Sequence, residues 1–305
     1  MTGLSSSTYR VAVSQHEPEW FDLKKSVAKT CRIIAEAAEN GAQLVTFAEA
    51  FIPGYPAWIW TRPVDPVLST IYIRNSLAVD SDEMRTIQSC AAKHGIIVSL
   101  GFSENDHNSL YIAQAIIDVD GTIVMKRRKL KATHMERTIF GDASGDSLMN
   151  VVSTRIGKVG ALACWEHCQP LLKYHTLHQR EQIHCSAWPP IVDHTGGPEL
   201  WSMSKQGCQS LSQVYAIESQ TFRRRRLLMS APGGGSSAII GPDGRVMSKP
   251  LDSATEGIIF GEIDLDQAIF ARSFLDICGH YSRPDLLWLG CDTRGRTLRI
   301  EEKIQ

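Results

Sequence analysis

The sequence predicts an α/β fold, because strand-like segments alternate with amphipathic helical segments from its first part onward. The first unit is a short strand over 9–14, a helix over 23–40 with apolar side chains at helical spacing, and a second strand over 43–47. The 305 residues contain no clear long-period repeat and no linker. We therefore predict one domain over residues 8–289, followed by a polar tail over residues 290–305.

Capping residues mark the ends of the first predicted helices. Asp22 can accept the first-turn N–H groups of the first helix, and Gly41 ends it. Ser81 and Gly95 have the same positions around a helix over 82–94. The other elements that we predict are strands over 96–102, 111–118, 122–126, 151–152, 159–163, 184–188, 237–240, 245–249 and 257–264, and a helix over 202–219.

The composition is that of an ordinary globular protein, and it excludes several classes of partner. A net charge of -1 provides no field that would steer nucleic acid or an anionic membrane. No apolar run approaches the ~20 residues of a membrane-spanning helix. Eight cysteines occur without a secretory signal or a zinc-ligand spacing, so we expect reduced thiols, no metal and a cytoplasmic location.

Cys164 is the first candidate for a reactive group. It follows the apolar strand over 159–163 and precedes a helix-like run that begins at Pro170, so the sheet fixes the position of its side chain. The first-turn N–H groups of the next helix could lower the pKa of the thiol, which would make it a nucleophile. The alternative is a buried cysteine that packs as a small hydrophobic residue.

Two charged residues have comparable positions. Glu49 lies just past the strand over 43–47, and Lys129 follows the strand over 122–126. Because groups at the ends of parallel strands converge on one crevice, we expect both to meet Cys164. A carboxylate that takes the thiol proton and an ammonium that stabilises the intermediate would complete an acyl-transfer site. Taken singly, the glutamate could equally be a helix cap or a surface carboxylate, and the lysine a solvated cation.

Six segments resemble the nitrilase family, in the order and at the spacing of that family. They are residues 47–56, 127–131, 162–167, 181–184, 215–218 and 279–285. The resemblance covers nearly the whole chain and is strongest to the fungal and bacterial nitrilases and cyanide hydratases. It implies an α-β-β-α sandwich that needs no metal or organic cofactor. It also implies a homo-oligomer, in which dimers build larger or spiral assemblies.

The resemblance also implies the roles of four residues. Glu49, Lys129 and Cys164 match the catalytic triad of the family, and Glu136 matches a supporting second glutamate. The thiolate would add to the nitrile carbon and give a thioimidate. Water would then give a tetrahedral species that the lysine and a backbone N–H stabilise, and loss of ammonia would leave a thioester that a second water hydrolyses. Expulsion of the thiol from the tetrahedral species would instead give an amide.

Aromatic residues are the candidates for the walls of a substrate pocket. The stretch over 51–60 is aromatic and contains two prolines, so we expect it to line a pocket or to bury against another subunit. Tyr55, Trp165 and Trp188 are predicted to bind substrate, with plain packing as the alternative for each. We interpret His167 as structural, because the triad already contains a base.

We therefore expect a nitrilase that converts an organic nitrile to a carboxylic acid and ammonia, and the aromatic candidates suggest an arylacetic nitrile. A cyanide hydratase, which makes formamide from cyanide, is the main alternative. Asparagine beside the nucleophile is typical of those enzymes, whereas Glu166 and His167 stand here. Amidase or carbamoylase activity on the same triad, or a non-catalytic scaffold relative, is also open.

The chain departs from the resemblance after residue 222. Family members continue there with an apolar strand and a longer connection, whereas this chain has four arginines at 223–226. Side chains in a strand alternate faces, so at least two charges would point into the sandwich, which is costly without partners. We expect the strand to be displaced onto 227–229 or to be missing. Residues 220–235 would then be re-registered or disordered, with a weaker pocket wall and subunit interface and with low stability, solubility or activity.

Overall fold

The computed structural model describes residues 8–225 and 235–295. The strands in these residues are β1 (Thr8–Gln15), β2 (Leu44–Thr46), β3 (Ile97–Asp106), β4 (Ser109–Ile117), β5 (Ile123–Arg128), β6 (Val151–Thr154), β7 (Gly157–Ala163), β8 (Ile183–Ala187), β9 (Phe222–Arg225), β10 (Ala238–Ile240) and β11 (Gly257–Asp264). The α-helices are α1 (Leu23–Glu39), α2 (Pro66–Asn75), α3 (Asp82–His94), α4 (Pro170–His178), α5 (Lys205–Ser219) and α6 (Leu265–Phe274). Short 3₁₀ helices lie at Ala57–Trp60, His134–Thr138, Gly145–Leu148, Cys164–Cys168 and Trp201–Met203.

The strands form two sheets. The first has the order β11-β1-β2-β3-β4-β5, and the second has the order β10-β9-β8-β7-β6. In each sheet the three central strands that carry the crossovers, β1-β2-β3 and β7-β8-β9, are parallel, and the flanking strands are antiparallel. The carboxyl ends of the parallel strands therefore lie on one edge of each sheet.

The two sheets pack face to face between helices. Ala12 and Val45 pack with apolar residues of α1 and α3, whereas their neighbours Val11 and Leu44 pack against Val159 of the second sheet. Both faces of these strands are buried, which explains their nearly continuous apolar sequences. Helices α4 and α5 cover the outer face of the second sheet. This architecture confirms the predicted single-domain α-β-β-α sandwich.

Capping side chains are present where the sequence predicted them. Asp22 accepts the N–H of Lys25 at the start of α1, and Ser81 accepts the N–H of Met84 at the start of α3. Gly95 has a left-handed φ of 59° after α3. Helix α2 was not predicted, although Asp65 before a proline is a helix-start signal, and the side chain of Asp65 accepts the N–H of Leu68.

The expectation that the arginines at 223–226 would displace or remove a strand is wrong for residues 223–225. Phe222–Arg225 is strand β9, which pairs in parallel with β8 and antiparallel with β10. The ladder is made by backbone groups, which arginine supplies as well as any residue other than proline. Residue 226 and the proposed alternative strand over 227–229 lie outside the described residues, so the expected weakness of this region stays a prediction.

A second correction concerns the strand predicted over 245–249. Only Val246 pairs with β10, through an isolated bridge to Ile240. The N–H of Ile239 donates to the side-chain oxygen of Ser248 instead of to a backbone carbonyl, so the ladder does not continue.

The first residues of the predicted polar tail contact the domain. A Cβ atom at Gly145 would lie 2.1 Å from the carbonyl oxygen of Asp292, so only glycine allows the segment to approach this closely. Residues 296–305 lie outside the described part. Across the described residues, none of the helices combines the length and the apolar character that a bilayer crossing requires.

Candidate active site

The four predicted reactive residues meet at one point between the two sheets. Glu49 follows β2, Lys129 follows β5, and Cys164 follows β7. The Nζ atom of Lys129 donates to Oε1 of Glu49 at 2.9 Å and to Oε2 of Glu136 at 2.7 Å. One carboxylate oxygen of each glutamate and the Sγ atom of Cys164 lie within 4.8 Å of one another. The structure thus brings all four together.

These side chains are almost completely withdrawn from water. The exposed fraction is 1% for Glu49 and Glu136, 2% for Lys129 and 3% for Cys164. Cys164 also has a φ of 47°, in the left-handed region that side chains other than glycine rarely adopt. Strained backbone of this kind is common at active sites, where the surrounding structure enforces it.

The two glutamates have different hydrogen-bond environments. Oε1 of Glu136 accepts from the hydroxyl of Tyr55 at 2.9 Å, and Oε2 accepts from the N–H of Thr133 at 2.6 Å as well as from Lys129. Oε2 of Glu49 has no hydrogen-bond partner among the described residues. Glu136 is therefore held in place, whereas Glu49 keeps a lone pair that can take a proton.

Burial controls the protonation of the acid and the thiol. Burial and, to a smaller extent, the negative charge of Glu136 raise the pKa of Glu49 to about 8, against the opposing charge of Lys129. Burial also raises the pKa of Cys164 well above its usual value. The expectation that helix N–H groups lower this pKa is therefore wrong, because the thiol lies in a desolvated site and α4 begins only at Pro170. The resting thiol is protonated and needs a base.

Lys129 remains charged in this site. Burial alone would lower the pKa of Lys129, but the nearby charges of Glu49 and Glu136 outweigh it and raise the pKa well above its usual value. The ammonium bonds to both carboxylates, so it would repel a metal cation placed among the same three acidic groups. It also has a third N–H donor, which can face a substrate.

A buried ion pair that the sequence analysis missed supports the nucleophile from behind. Arg127 donates to both oxygens of Glu166 at 2.7 Å, and both side chains are fully buried. The same carboxylate accepts the N–H of Leu130 and the N–H of Ala163. It thereby joins the residue after Lys129 to the residue before the reactive cysteine. A bidentate pair of this kind fixes both position and orientation.

The sequence contains a signal that Arg127 is buried, although nothing in it identifies Glu166 as the partner. Arg127 and Lys129 are two residues apart along the end of β5, so their side chains lie on the same side of the strand. Both are buried, whereas Arg128 between them bonds to Glu104 on the other side. Within this run a role was predicted only for Lys129, so the buried charge of Arg127 was not identified from the sequence.

A cavity of about 260 Å³ opens in front of Cys164. Apolar and aromatic side chains make most of its wall. Its lining residues are Tyr55, Ala57, Trp60, Thr133, Glu136, Cys164, Trp165, Pro189, Pro190, Ile191, Val192, Met203 and Cys208. The stretch over 51–60 thus lines a pocket, which is one of its two expected roles. The segment over 189–192 and Met203 were not identified from the sequence, because nothing local marks them as pocket walls.

The predicted substrate-binding aromatics divide into two groups. Tyr55 and Trp165 lie on the cavity wall. Trp188 is fully buried behind it, where its ring stacks on His167 with the centroids 5.1 Å apart. Its carbonyl oxygen also accepts the N–H of Glu49 at 3.3 Å. Trp188 therefore supports the acid and the histidine, and it is not among the residues that line the cavity.

The sequence is similar to known proteins over most of its length. The sequence profile of the carbon-nitrogen hydrolase family matches residues 10–273. An arylacetonitrilase from Aspergillus kawachii (strain NBRC 4308) is 59% identical over 304 residues, which cover 94% of this chain and 93% of the relative.

Solved structures with low sequence identity support the fold. The C. elegans NitFhit protein has a TM-score of 0.75 at 21% identity and covers 97% of this chain and 70% of its own. A mutant amidase from Nesterenkonia sp. AN1, with acrylamide added at its active-site cysteine, has a TM-score of 0.64 at 18% identity. That match covers 88% of this chain and 100% of the amidase.

Proposed function

Since this chain belongs to the carbon-nitrogen hydrolase family, we propose that it is a nitrilase that hydrolyses arylacetonitriles to carboxylic acids and ammonia. The observation that carries the proposal is the cluster of Glu49, Lys129 and Cys164 at the base of a largely apolar cavity. The name of the Aspergillus kawachii relative supports the arylacetic substrate class. Trp60 and Trp165 on the cavity wall offer flat surfaces against which an aromatic ring can pack.

The first step forms the covalent bond to the substrate. Glu49 takes the proton of Cys164 through its unpartnered oxygen, and the sulfur adds to the nitrile carbon. Glu49 then gives this proton to the nitrile nitrogen, and the product is a thioimidate. The charge that develops on nitrogen faces the third N–H donor of Lys129 in a site from which water is largely excluded, where such a donor is most effective.

Two water molecules complete the reaction. The first, activated by Glu49, adds to the thioimidate carbon and gives a tetrahedral species, which expels ammonia and leaves a thioester. The second water adds to the thioester carbon, and the carboxylic acid leaves as the thiol is restored. Glu136 keeps Lys129 beside the reacting carbon throughout, because it bonds to the ammonium at 2.7 Å and is itself fixed by Tyr55.

A substrate panel tests this proposal. Purified protein is incubated with phenylacetonitrile, cyanide and phenylacetamide, and ammonia, phenylacetic acid, amide and formamide are measured. We expect ammonia and acid in equal amounts from phenylacetonitrile, with Cys164→Ala as the inactive control. Formamide from cyanide would favour a cyanide hydratase, and turnover of the amide alone would favour an amidase. A folded protein without any turnover would favour the non-catalytic alternative.

We further propose that the protein forms a homo-oligomer through α5 and α6. Val214 and Ile217 on α5, and Ile269, Phe270 and Phe274 on α6, are large apolar side chains with 42% to 87% of their surface exposed. Such a patch favours burial against a second copy of the chain. Light scattering after size exclusion should give a mass of at least twice 33.8 kDa, and Phe270→Glu should reduce it.

We also propose a reducing compartment such as the cytoplasm. All eight cysteines are free thiols, and four of them, including Cys164, are buried. Localisation of a tagged protein by microscopy would test this.

A further inference from the structure

A continuous chain of buried hydrogen bonds runs from Cys164 into the second sheet. The backbone carbonyl of Cys164 lies 2.5 Å from Nδ1 of His167. Nε2 of His167 lies 3.1 Å from Nε2 of His184, and Nδ1 of His184 lies 2.7 Å from Oε2 of Glu181. The other oxygen of Glu181 accepts from the hydroxyl of Tyr215 at 2.6 Å. We call Glu181, His184 and His167 the proton chain.

The hydrogen-bond partners of these side chains determine how many protons the proton chain holds. A backbone carbonyl only accepts, so Nδ1 of His167 carries a hydrogen. Two bare Nε2 atoms at 3.1 Å would repel each other, so one proton lies between His167 and His184. A third proton lies between His184 and Glu181, because a carboxylate cannot face a bare nitrogen at 2.7 Å.

This count is one proton more than an ionised glutamate and two neutral imidazoles contain. The extra proton is present either as one imidazolium beside an ionised Glu181 or as a protonated Glu181 beside two neutral imidazoles, and both forms have no net charge. Loss of this proton would remove one of the three links. The whole proton chain is buried, and the exposed fraction is 0% for Glu181 and His184 and 1% for His167. Water is therefore poorly placed to replace a lost hydrogen bond.

The proton chain ends at the backbone carbonyl of the reactive residue, Cys164. The φ of Cys164 is 47°, and this strained conformation directs the peptide carbonyl to His167 while the side chain lines the cavity. The ring of His167 is held between Trp188, with which it stacks, and the edge of Tyr215. Ser186 also lies 3.3 Å from Nε2 of His167. The imidazole therefore has little freedom to choose another acceptor.

We propose that Glu181, His184 and His167 are positioning residues, which hold a shared proton and thereby fix the peptide carbonyl of Cys164 in the orientation that places its thiol in the cavity. The proposal deepens the nitrilase function and rests on it for its role in catalysis, but the position of the thiol can be tested without a nitrile.

The test measures the alkylation rate of Cys164 by iodoacetamide with peptide mass spectrometry, and the exposed Cys291 serves as a reference in the same molecule. His167→Leu removes the donor to the carbonyl, and we expect the rate at Cys164 to fall by ~100-fold, the typical effect of a small misplacement. His167→Asn keeps an N–H donor at the place of Nδ1, so its rate should recover to within about fivefold of the unmodified protein.

Glu181→Leu and Tyr215→Phe form a matched pair at the same carboxylate. Glu181→Leu removes the carboxylate and with it the hydrogen-bond partner of His184, and we expect alkylation of Cys164 to slow by about tenfold or more. Tyr215→Phe removes one hydrogen bond and lowers the melting temperature, but it leaves the three protons in place. Its alkylation rate should stay within about twofold of the unmodified protein. With phenylacetonitrile, kcat should fall in parallel with alkylation while KM stays nearly constant.

The proposal is overturned if folded His167→Leu is alkylated at the original rate, if His167→Asn is as slow as His167→Leu, or if Tyr215→Phe is slowed as much as Glu181→Leu. Circular dichroism and melting temperature establish folding. If His167→Leu does not fold, the pair at positions 181 and 215 decides the question. Absence of nitrile turnover in the unmodified protein would reject the proposed function and leave the alkylation test intact.

Discussion

The charges and hydrogen bonds on the two sides of Cys164 are arranged in opposite ways. On the cavity side, Glu49 and Glu136 share the single ammonium of Lys129, and one oxygen of Glu49 has no partner among the described residues. On the inner side, the carboxylate of Glu166 accepts two hydrogen bonds from Arg127 and two from backbone N–H groups. The first side has unequal charges and spare hydrogen-bonding capacity, and the second has neither.

This difference separates reaction from support. A carboxylate with one oxygen left without a partner in a dry site has a raised pKa and can exchange a proton, as for Glu49. A carboxylate with charge-assisted partners has a lowered pKa, as for Glu166, even though burial by itself would raise it. Equal burial thus produces a base in one place and a fixed anchor in the other. We expect substitutions on the cavity side to change rates and substitutions on the inner side to change stability.

The largest expected effect is that of Cys164→Ala. Turnover should fall by at least ~10⁴-fold, because the substitution removes the thiol that lies beside Glu49 and forms the covalent intermediate. The mass in solution and the melting temperature should change little, since the thiol makes no charged contact that holds the fold. Cys291→Ala, at an exposed position, is the matched control and should retain full activity. Residual hydrolysis by purified Cys164→Ala above the uncatalysed rate would exclude the mechanism.

The intermediate itself should be observable. In the Glu49→Gln variant, a nitrile substrate that reacts slowly should leave a covalent adduct on Cys164 and on none of the other seven cysteines. Peptide mass spectrometry would locate the adduct. Cys208 also lines the cavity. An adduct on Cys208 would show that Cys164 is not the nucleophile.

The next largest effect is expected at Lys129. Lys129→Arg should be nearly as damaging as Lys129→Ala, with a loss of ~10³-fold in kcat, because a planar guanidinium cannot place its charge between Glu49 and Glu136 as a compact ammonium does. Lys131→Ala is the control, since Lys131 is exposed and pairs with Asp142 at the surface. It should keep kcat within about twofold. A larger effect at Lys131 than at Lys129 would reverse the assignment of the two lysines.

The inner side is tested through stability. Arg127→Met leaves the buried charge of Glu166 without its partner and should lower the free energy of unfolding by ~3–5 kcal/mol, measured by denaturant titration. The double variant Arg127→Met/Glu166→Leu should recover part of this loss, because no uncompensated charge remains. A single variant as stable as the original protein, or a double variant less stable than the single one, would contradict the role assigned to this pair.

The sequence was sufficient for the fold class and for the meeting of Glu49, Lys129 and Cys164. Alternating apolar strands and capped helices predicted an α/β fold, the family resemblance implied its four layers, and the positions of the three residues just beyond strand ends predicted that their side chains converge. Partners brought together from distant segments could not be found in the same way. Arg127 and Glu166 are 39 residues apart, and no local pattern links them.

The arginine run shows a second limit of sequence reasoning. A strand was rejected at 223–226 because of side-chain charge, although the sheet is held together by backbone hydrogen bonds, and β9 forms at Phe222–Arg225. The expected direction of the pKa of Cys164 was also wrong. The sequence indicates which helix follows the thiol, but not how completely the surrounding chain removes water from it.

A smaller effect is expected in the pH dependence. Catalysis requires ionised Glu49, so kcat/KM should rise with pH through an apparent pKa of about 8. The charge of Glu136 raises this pKa, so Glu136→Gln should shift the acid limb of the profile to lower pH, although the variant is slower overall. Tyr55→Phe is the control, because it removes a hydrogen bond from Glu136 without changing the charge. A limb that stays in place or moves to higher pH in Glu136→Gln would be inconsistent with this electrostatic coupling.

The smallest expected effect concerns the wall of the cavity. Trp60 lies on this wall, its ring stacks on His134 with the centroids 5.6 Å apart, and its Nε1 donates to the hydroxyl of Tyr55 at 3.4 Å. Trp60→Phe keeps an aromatic surface but removes this donor, so KM for phenylacetonitrile should rise by about two- to tenfold while kcat changes little. Trp188→Phe, behind the wall, should instead lower kcat and leave KM nearly unchanged, because the ring of Trp188 stacks on His167 and not on the substrate. Initial-rate kinetics on both variants distinguish the two positions. If Trp60→Phe lowered kcat and left KM unchanged, the cavity in front of Cys164 would not be where the aromatic ring of the substrate binds.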